Sequence, residues 1–385
     1  MNQTNHRTSP IGQPEQQPFR APSYIEAIAP YQAGKPISEL AREFGLDPDS
    51  IIKLASNENP LGIPDSARQA MADILDGLGR YPDPNGFELK AALAARYRVP
   101  SAWITLGNGS NDLLELASMA LLGPGDGVVY SQYAFTVYHL ATQARGARHI
   151  VVPAHEYGHD LDAMFQAIDT DTRLVFIANP NNPTGTFLPA DRIEAFLDRV
   201  QRTHGERVTV VLDEAYNEYL DPDLRFDSAS WVGQFANLIV TRTFSKAYGL
   251  AGLRVGFALA QPRLTDLLNR VRQPFNVNSL AQAAAIAALA DADYLQQSYE
   301  LNQEGKALLE QAFTQLQLPY VPSYGNFVMV QVGEDAPRIN TELLQRGIIV
   351  RPIAGDGLPE WLRITVGLPH ENQAFIDALT SILSS

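Results

Sequence analysis

Between residues 103 and 258, short apolar runs alternate with stretches of helical length, and this alternation restricts the possible fold more than any other feature. Strands are expected at 103–106, 127–131, 149–152, 173–178, 208–212, 238–243 and 254–258. Helices are expected at 112–122, 136–143, 161–168 and 191–202. Strand and helix in turn imply an α/β fold: three layers, with a mostly parallel central sheet covered by helices on both faces. Ahead of this region the pattern gives a short strand at 51–55, a helix at 64–78, a Pro- and Gly-rich loop at 80–86 and a helix at 87–97. Beyond it, residues 279–316 are almost wholly helical and Ala-rich, enough for one helix closing the large domain and a longer one leading into a second lobe. Strands near 327–332 and 362–366, with helices near 340–345 and 372–381, give a smaller α+β domain to which 31–44 adds. The expected division is a disordered leader at 1–20, an N-terminal arm at 21–50, a large domain at 51–290 and a small domain at 291–385.

Composition removes several function classes. A chain of 385 residues with 45% apolar content can bury a sizeable core. A net charge of −14 argues against nucleic acid or an anionic membrane as partner. With no cysteine there are no disulfides and no thiolate metal sites. No apolar run approaches the ~20 residues of a membrane span, and residues 1–20 lack the apolar core of a signal peptide, so a cytoplasmic enzyme is expected.

In open parallel sheets, ligands bind beyond the carboxyl ends of the strands. Asn182, Asp213 and Lys246 all fall just past such ends, which makes one shared pocket plausible on the strand assignments alone. The surrounding residues add to them: Tyr216 after Asp213-Glu214-Ala215, Thr243 and Ser245 ahead of Lys246, and Arg254 after Gly249 and Gly252. Such a set is what a pyridoxal phosphate site needs. A lysine forms a Schiff base with the aldehyde, an acid keeps the pyridine nitrogen protonated, and arginine with hydroxyls holds the phosphate. Gly107-Asn108-Gly109-Ser110-Asn111 lies between a strand and a helix. It reads as half of a dinucleotide fingerprint with Asp112 in place of the third glycine, as a phosphate cup at a helix N-terminus, or as a plain Gly turn. No lysine of the Walker type follows a Gly-rich loop, so an ATPase has no support. His155-Glu156-Tyr157-Gly158-His159 matches a zinc-protease pattern, but Pro153 ahead of it and Gly158 within it place it in a loop, and no metal is expected.

In this order and spacing, these motifs resemble the fold-type-I aminotransferases of the aspartate aminotransferase superfamily, from about Tyr31 to the C-terminus. The resemblance implies that Lys246 carries pyridoxal 5'-phosphate and that Asp213, Tyr216, Asn182, Thr243, Ser245, Arg254 and the Gly109, Ser110, Asn111 cup bind it. It also implies that Phe135 stacks on the ring, although many relatives have Tyr there. In the segment Arg80-Tyr81-Pro82-Asp83, it implies a homodimer in which Tyr81 reaches the partner's cofactor phosphate. Three further segments look like histidinol-phosphate aminotransferase: 30–37, 52–60 with Asn59, and Arg351-Pro352 followed by Leu362-Arg363-Ile364-Thr365-Val366-Gly367. That resemblance implies transfer of the amino group between L-histidinol phosphate and 2-oxoglutarate, with glutamate as product, and Tyr31, Asn59, Arg351 and Arg363 at the substrate. Arginine suits this pair of substrates, because one planar fork can bind a carboxylate or a phosphate. Relatives that act on phenylalanine or tyrosine, or decarboxylate threonine phosphate, stay open as alternatives, and so does a non-catalytic binding module.

Overall fold

The computed structural model describes residues 20–30 and 34–384. All but the last residue of the expected leader at 1–20, and the Tyr31 site residue, lie outside them.

Among the described residues, thirteen strands form three sheets: β1 (Ile52–Lys53), β2 (Ile104–Gly107), β3 (Gly127–Ser131), β4 (Arg148–Val152), β5 (Thr172–Ala178), β6 (Thr209–Asp213), β7 (Leu238–Thr243), β8 (Gly256–Ala260), β9 (Tyr320–Val321), β10 (Phe327–Gln331), β11 (Ile348–Ile349), β12 (Arg351–Pro352) and β13 (Trp361–Thr365). Seven of them make the large sheet in the order β2-β8-β7-β6-β5-β3-β4. All of its pairs are parallel except those of β8, which runs antiparallel to both β2 and β7. The sheet is mostly parallel, as the alternation predicts.

Side chains alternate across the strands, so the two faces hold separate cores. Val175, Ile177, Val210, Leu212 and Val240 face one way, against Ile193, Phe196 and Val200 of the helix Ala190–His204. Leu174, Phe176, Val211 and Ile239 face the other way, against Leu113, Leu114 and Ala117 of the helix Ser110–Leu121 and against Val137 and Tyr138. Both faces are covered, which is why these strands read as nearly continuous apolar runs.

The four-stranded antiparallel sheet β12-β13-β10-β9 packs against the helices Ala292–Gln315, Ala336–Gln345 and Pro369–Leu383 through Leu309, Phe313, Ile339, Leu343 and Phe375. The helix Ile37–Phe44 lies on Ile349 and Leu344. Three elements differ from expectation. The strand at 51–55 shortens to β1 and pairs in parallel with β11, outside the large sheet. The helix at 64–78 stops at Ala72 and gives way to a tight turn at Leu75–Gly77, in a stretch where Gly77 and Gly79 weaken helix continuation. The strand at 254–258 begins at Gly256 because Arg254 adopts a left-handed backbone, φ 56°. No helix among the described residues is long and apolar enough to cross a membrane.

Candidate active site

The site gathers at the carboxyl ends of β5, β6 and β7. Asp213 closes β6 and is buried, its side chain on the same face as Val211. There Tyr138 donates to Oδ2 at 2.9 Å and Thr241 donates to Oδ1 at 3.0 Å. Burial pushes the carboxyl pKa up to about 6 despite both donors. A carboxylate held at that depth favours a cationic partner in the space beside it.

β7 leads into Ser245 and Lys246. Lys246 is half-buried; its Nζ donates to the Ser56 carbonyl at 3.2 Å and lies 5.7 Å from the Tyr216 ring centre. Burial first, and then the charge of Arg363, lower its pKa to about 7. Much of the amine is therefore neutral at physiological pH, and the neutral form is the nucleophile and the base.

An anion cradle forms beside the lysine. Gly109 (φ 82°) precedes the helix Ser110–Leu121 and directs the first free N–H groups of that helix into the pocket. Arg254 reaches in from the other side, with Nη2 donating to the Asn108 carbonyl at 3.2 Å and Nη1 to Ser245 Oγ at 3.2 Å. A Cβ on Gly109 would stand 2.7 Å from Arg254 Nη2, the movable end of a long side chain, so it is the left-handed φ of 82° that favours glycine there. Thr243 Oγ1 donates to Ser245 Oγ at 3.0 Å. One cavity, about 590 Å³ of space partly open to solvent, is lined by this cradle together with Phe135, Asn182, Asp213, Tyr216 and Lys246.

The four-stranded sheet reaches the edge of the pocket. Arg363, on β13, donates through Nη1 to Asn182 Oδ1 at 2.6 Å and through Nη2 to the Ala55 carbonyl at 2.9 Å. Arg351 stands directly opposite Arg363 in the antiparallel register, so both side chains leave the same face of the sheet. Arg351 lines a neighbouring hollow with Pro30, Thr136, His139 and Asp356.

Two further expected site residues, besides Arg351, lie away from the main cavity. Asn59 is buried; its Nδ2 donates to the Ala247 carbonyl at 3.0 Å and to Ser298 Oγ at 2.8 Å, and its Oδ1 accepts from the Leu61 N–H at 3.0 Å. Its amide thus fastens the chain next to Lys246. Tyr81 is 82% exposed and stacks on Phe275 at 4.6 Å, outside its own chain's cavity. The segment 153–160 is a loop, with a single bridge between His155 and Gly158. His159 is buried there, its Nε2 3.0 Å from the Ala178 carbonyl, and burial lowers its pKa to about 4.

The structure also adds residues that the sequence reading does not single out. Tyr138 and Thr241 hold Asp213, and Asn57 donates to the Tyr216 hydroxyl at 2.9 Å while accepting from Thr365 Oγ1 at 3.0 Å. Tyr138 lies in an expected helix and Thr241 in an expected strand, so only the tertiary pairing reveals them.

The model of the aminotransferase class I and II family matches residues 49–379. The chain is 65% identical to histidinol-phosphate aminotransferase 2 of Ralstonia nicotianae over 94% of this chain and 97% of that protein. It is 64% identical to histidinol-phosphate aminotransferase 1 of Cupriavidus pinatubonensis over 95% and 97%. A crystal structure of histidinol-phosphate aminotransferase from Sinorhizobium meliloti in complex with pyridoxal-5'-phosphate superposes with a TM-score of 0.86 at 30% identity, covering 96% of this chain and 99% of that one. Aspartate aminotransferase from Thermus thermophilus shares the fold, with a TM-score of 0.81 at 20% identity and coverage of 94% and 100%. With this agreement over nearly its whole length, the chain belongs to the histidinol-phosphate aminotransferase family, within the class I and II aminotransferases.

Proposed function

We propose that this protein is a cytoplasmic, homodimeric aminotransferase that uses pyridoxal 5'-phosphate to move the amino group between L-histidinol phosphate and 2-oxoglutarate, a step of histidine biosynthesis. The observation that carries the reading is the meeting, in one cavity, of a lysine with pKa about 7, a buried carboxylate and an arginine-lined anion cradle. That donor set fits a phosphorylated pyridine aldehyde. When bound, the cofactor supplies an aldehyde for an amine and a protonated ring that withdraws electrons from the substrate's α-carbon.

The roles follow from the chemistry of each side chain. Arg254, Thr243, Ser245 and the N–H groups at Gly109, Ser110 and Asn111 bind the phosphate. Asp213 holds the proton on the ring nitrogen, with Tyr138 and Thr241 fixing its two oxygens. Phe135 packs on the ring, and Tyr216 and Asn182 donate to its oxygen. Lys246 Nζ takes the proton from the substrate's α-carbon and delivers it on the same face. Tyr81 is assigned to the partner's phosphate, supported by the exposed aromatic pair it forms with Phe275.

Arg363 anchors either substrate by its anion. Glutamate presents an α-carboxylate, whereas histidinol phosphate presents a phosphate on the adjacent carbon, and one guanidinium fork suits both. Arg351 and Tyr31 add donors for the phosphate dianion. The test is stoichiometric. Enzyme saturated with pyridoxal phosphate and given histidinol phosphate alone should release one keto product per site and stop, and turnover should begin when 2-oxoglutarate is added. No product in the first stage, or continued turnover without 2-oxoglutarate, contradicts the reading.

A further inference from the structure

Behind the pocket, on the opposite face of the large sheet, lies an ion pair that the roles above leave unused. Glu214 follows Asp213, and Arg242 precedes Thr243. Their side chains are almost wholly buried, at 0% and 8% exposure, and Arg242 Nη2 lies 2.7 Å from Glu214 Oε2. Arg242 Nε donates to the same oxygen at 2.9 Å, and Ser228 Oγ adds a third donor at 2.7 Å. Glu218 Oε1 is 3.5 Å from Arg242 Nη1, and the Tyr97 ring centre is 5.1 Å from the guanidinium.

The location of the pair is informative. β6 and β7 pair in parallel from Val210↔Leu238 to Asp213↔Thr241, and the last backbone bond between them runs from the Glu214 N–H to the Thr241 carbonyl at 2.9 Å. Past that rung the chains diverge. β7 continues through Arg242 and Thr243, paired only with β8 on its other side, towards Lys246. The segment after β6 turns away towards Tyr216. The ion pair therefore joins the two chains one residue beyond the point where the backbone ladder ends. On the pocket face, the Thr241–Asp213 bond joins the same two strands, so the alternation of strand side chains places one bond on each face.

Stability alone is a poor account of such a pair, because apolar packing of the same volume is often as stable as a buried ion pair. We propose that Glu214 and Arg242 are positioning residues: their pair fixes the separation of β6 and β7 at the ladder's end, and with it the spacing between Asp213 and Lys246. Two N–H groups of the guanidinium, at Nε and Nη2, converge on one Glu214 oxygen and tie the two strands together there.

This inference rests on the assignment of Asp213 and Lys246 to the cofactor, and the experiment separates the two. In the holoenzyme, the visible absorbance of the bound cofactor is titrated against pH for wild type, Glu214→Gln, Arg242→Lys and Ser228→Ala, alongside kcat, KM for glutamate and Tm. Glu214→Gln removes the charge. Arg242→Lys keeps the charge but loses the fork. Both should move the spectral midpoint and lower kcat about tenfold with little change in KM, since small misplacements at a reacting centre cost rate rather than binding. Ser228→Ala should lower Tm and leave midpoint and kcat as in wild type. If both pair variants lower only Tm, the pair is structural and the proposal is overturned. If Glu214→Gln moves the midpoint and Arg242→Lys does not, the effect belongs to the field of the charge and the positioning role fails. Should Glu214→Gln not fold, Arg242→Lys decides alone. A wild type with no pH-dependent cofactor band would instead refute the assignment of Asp213 and Lys246.

Discussion

Burial drives Lys246 and Asp213 in opposite directions: the amine loses its proton near pH 7, and the carboxyl keeps its own to about pH 6. Lys246→Ala should still bind pyridoxal phosphate through the anion cradle, while turnover falls by roughly 10²–10⁴-fold, the usual share of a positioned acid–base group. Near-normal turnover would remove Lys246 from the reaction. The lowered pKa also has a consequence for the apo protein. The folded-state pKa, about 7, lies below the unfolded value of 10.5, so the fold carries a penalty for the protonated amine. That penalty is complete below pH 7 and is relieved as pH rises towards 10.5. Urea unfolding of apo wild type and apo Lys246→Ala should therefore show their stability difference shifting in favour of wild type between pH 7 and pH 10; a constant difference would mean that Lys246 titrates normally. At this scale the sequence exposes residues at strand ends, because ladder ends and turn chemistry can be read locally. It does not expose Tyr138, Thr241 or Asn57, whose roles arise from contacts across 75, 28 and 159 residues of sequence.

The anion cradle belongs to elements rather than to single residues: a glycine turn, a helix N-terminus and an arginine whose own backbone is left-handed. Charge-assisted contacts of this kind contribute about 1.5–3 kcal/mol each, so Arg254→Ala should weaken cofactor affinity by roughly one to two orders of magnitude. Equilibrium dialysis checks this; unchanged affinity with a raised KM would move Arg254 to the substrate side. The alternation of apolar runs made the seven strands of the large sheet legible, since buried parallel strands leave continuous apolar signatures. The direction of β8 was not legible, because an apolar run looks the same in either direction and only the loop from Lys246 to Arg254 returns the chain antiparallel. The fate of the strand at 51–55 was equally hidden. Its partner, β11, lies almost 300 residues away, and two residues of pairing leave no pattern.

Across the whole molecule, the site joins the seven-stranded sheet to the four-stranded one and, on the proposed reading, two chains. The exposed pair of Tyr81 and Phe275 should be buried between protomers. Sedimentation should give a dimer, and Tyr81→Ala should weaken cofactor retention more than it alters folding; a monomer of full activity would exclude the shared site. Arg351, opposite Arg363 in register, has a distinct expectation. Arg351→Ala should lower the specificity constant for histidinol phosphate far more than for glutamate, because a phosphate dianion uses more donors than a carboxylate, and losing one charged contact typically costs about 2–5 kcal/mol. Equal losses would make it a general charge. The central claim, however, is the substrate, and it is tested most directly by measuring kcat/KM of the pure enzyme with histidinol phosphate, phenylalanine and tyrosine side by side, with 2-oxoglutarate as acceptor. The arginine pair predicts a clear preference for histidinol phosphate; a preference for phenylalanine or tyrosine would contradict it and make the protein an aromatic aminotransferase on the same fold.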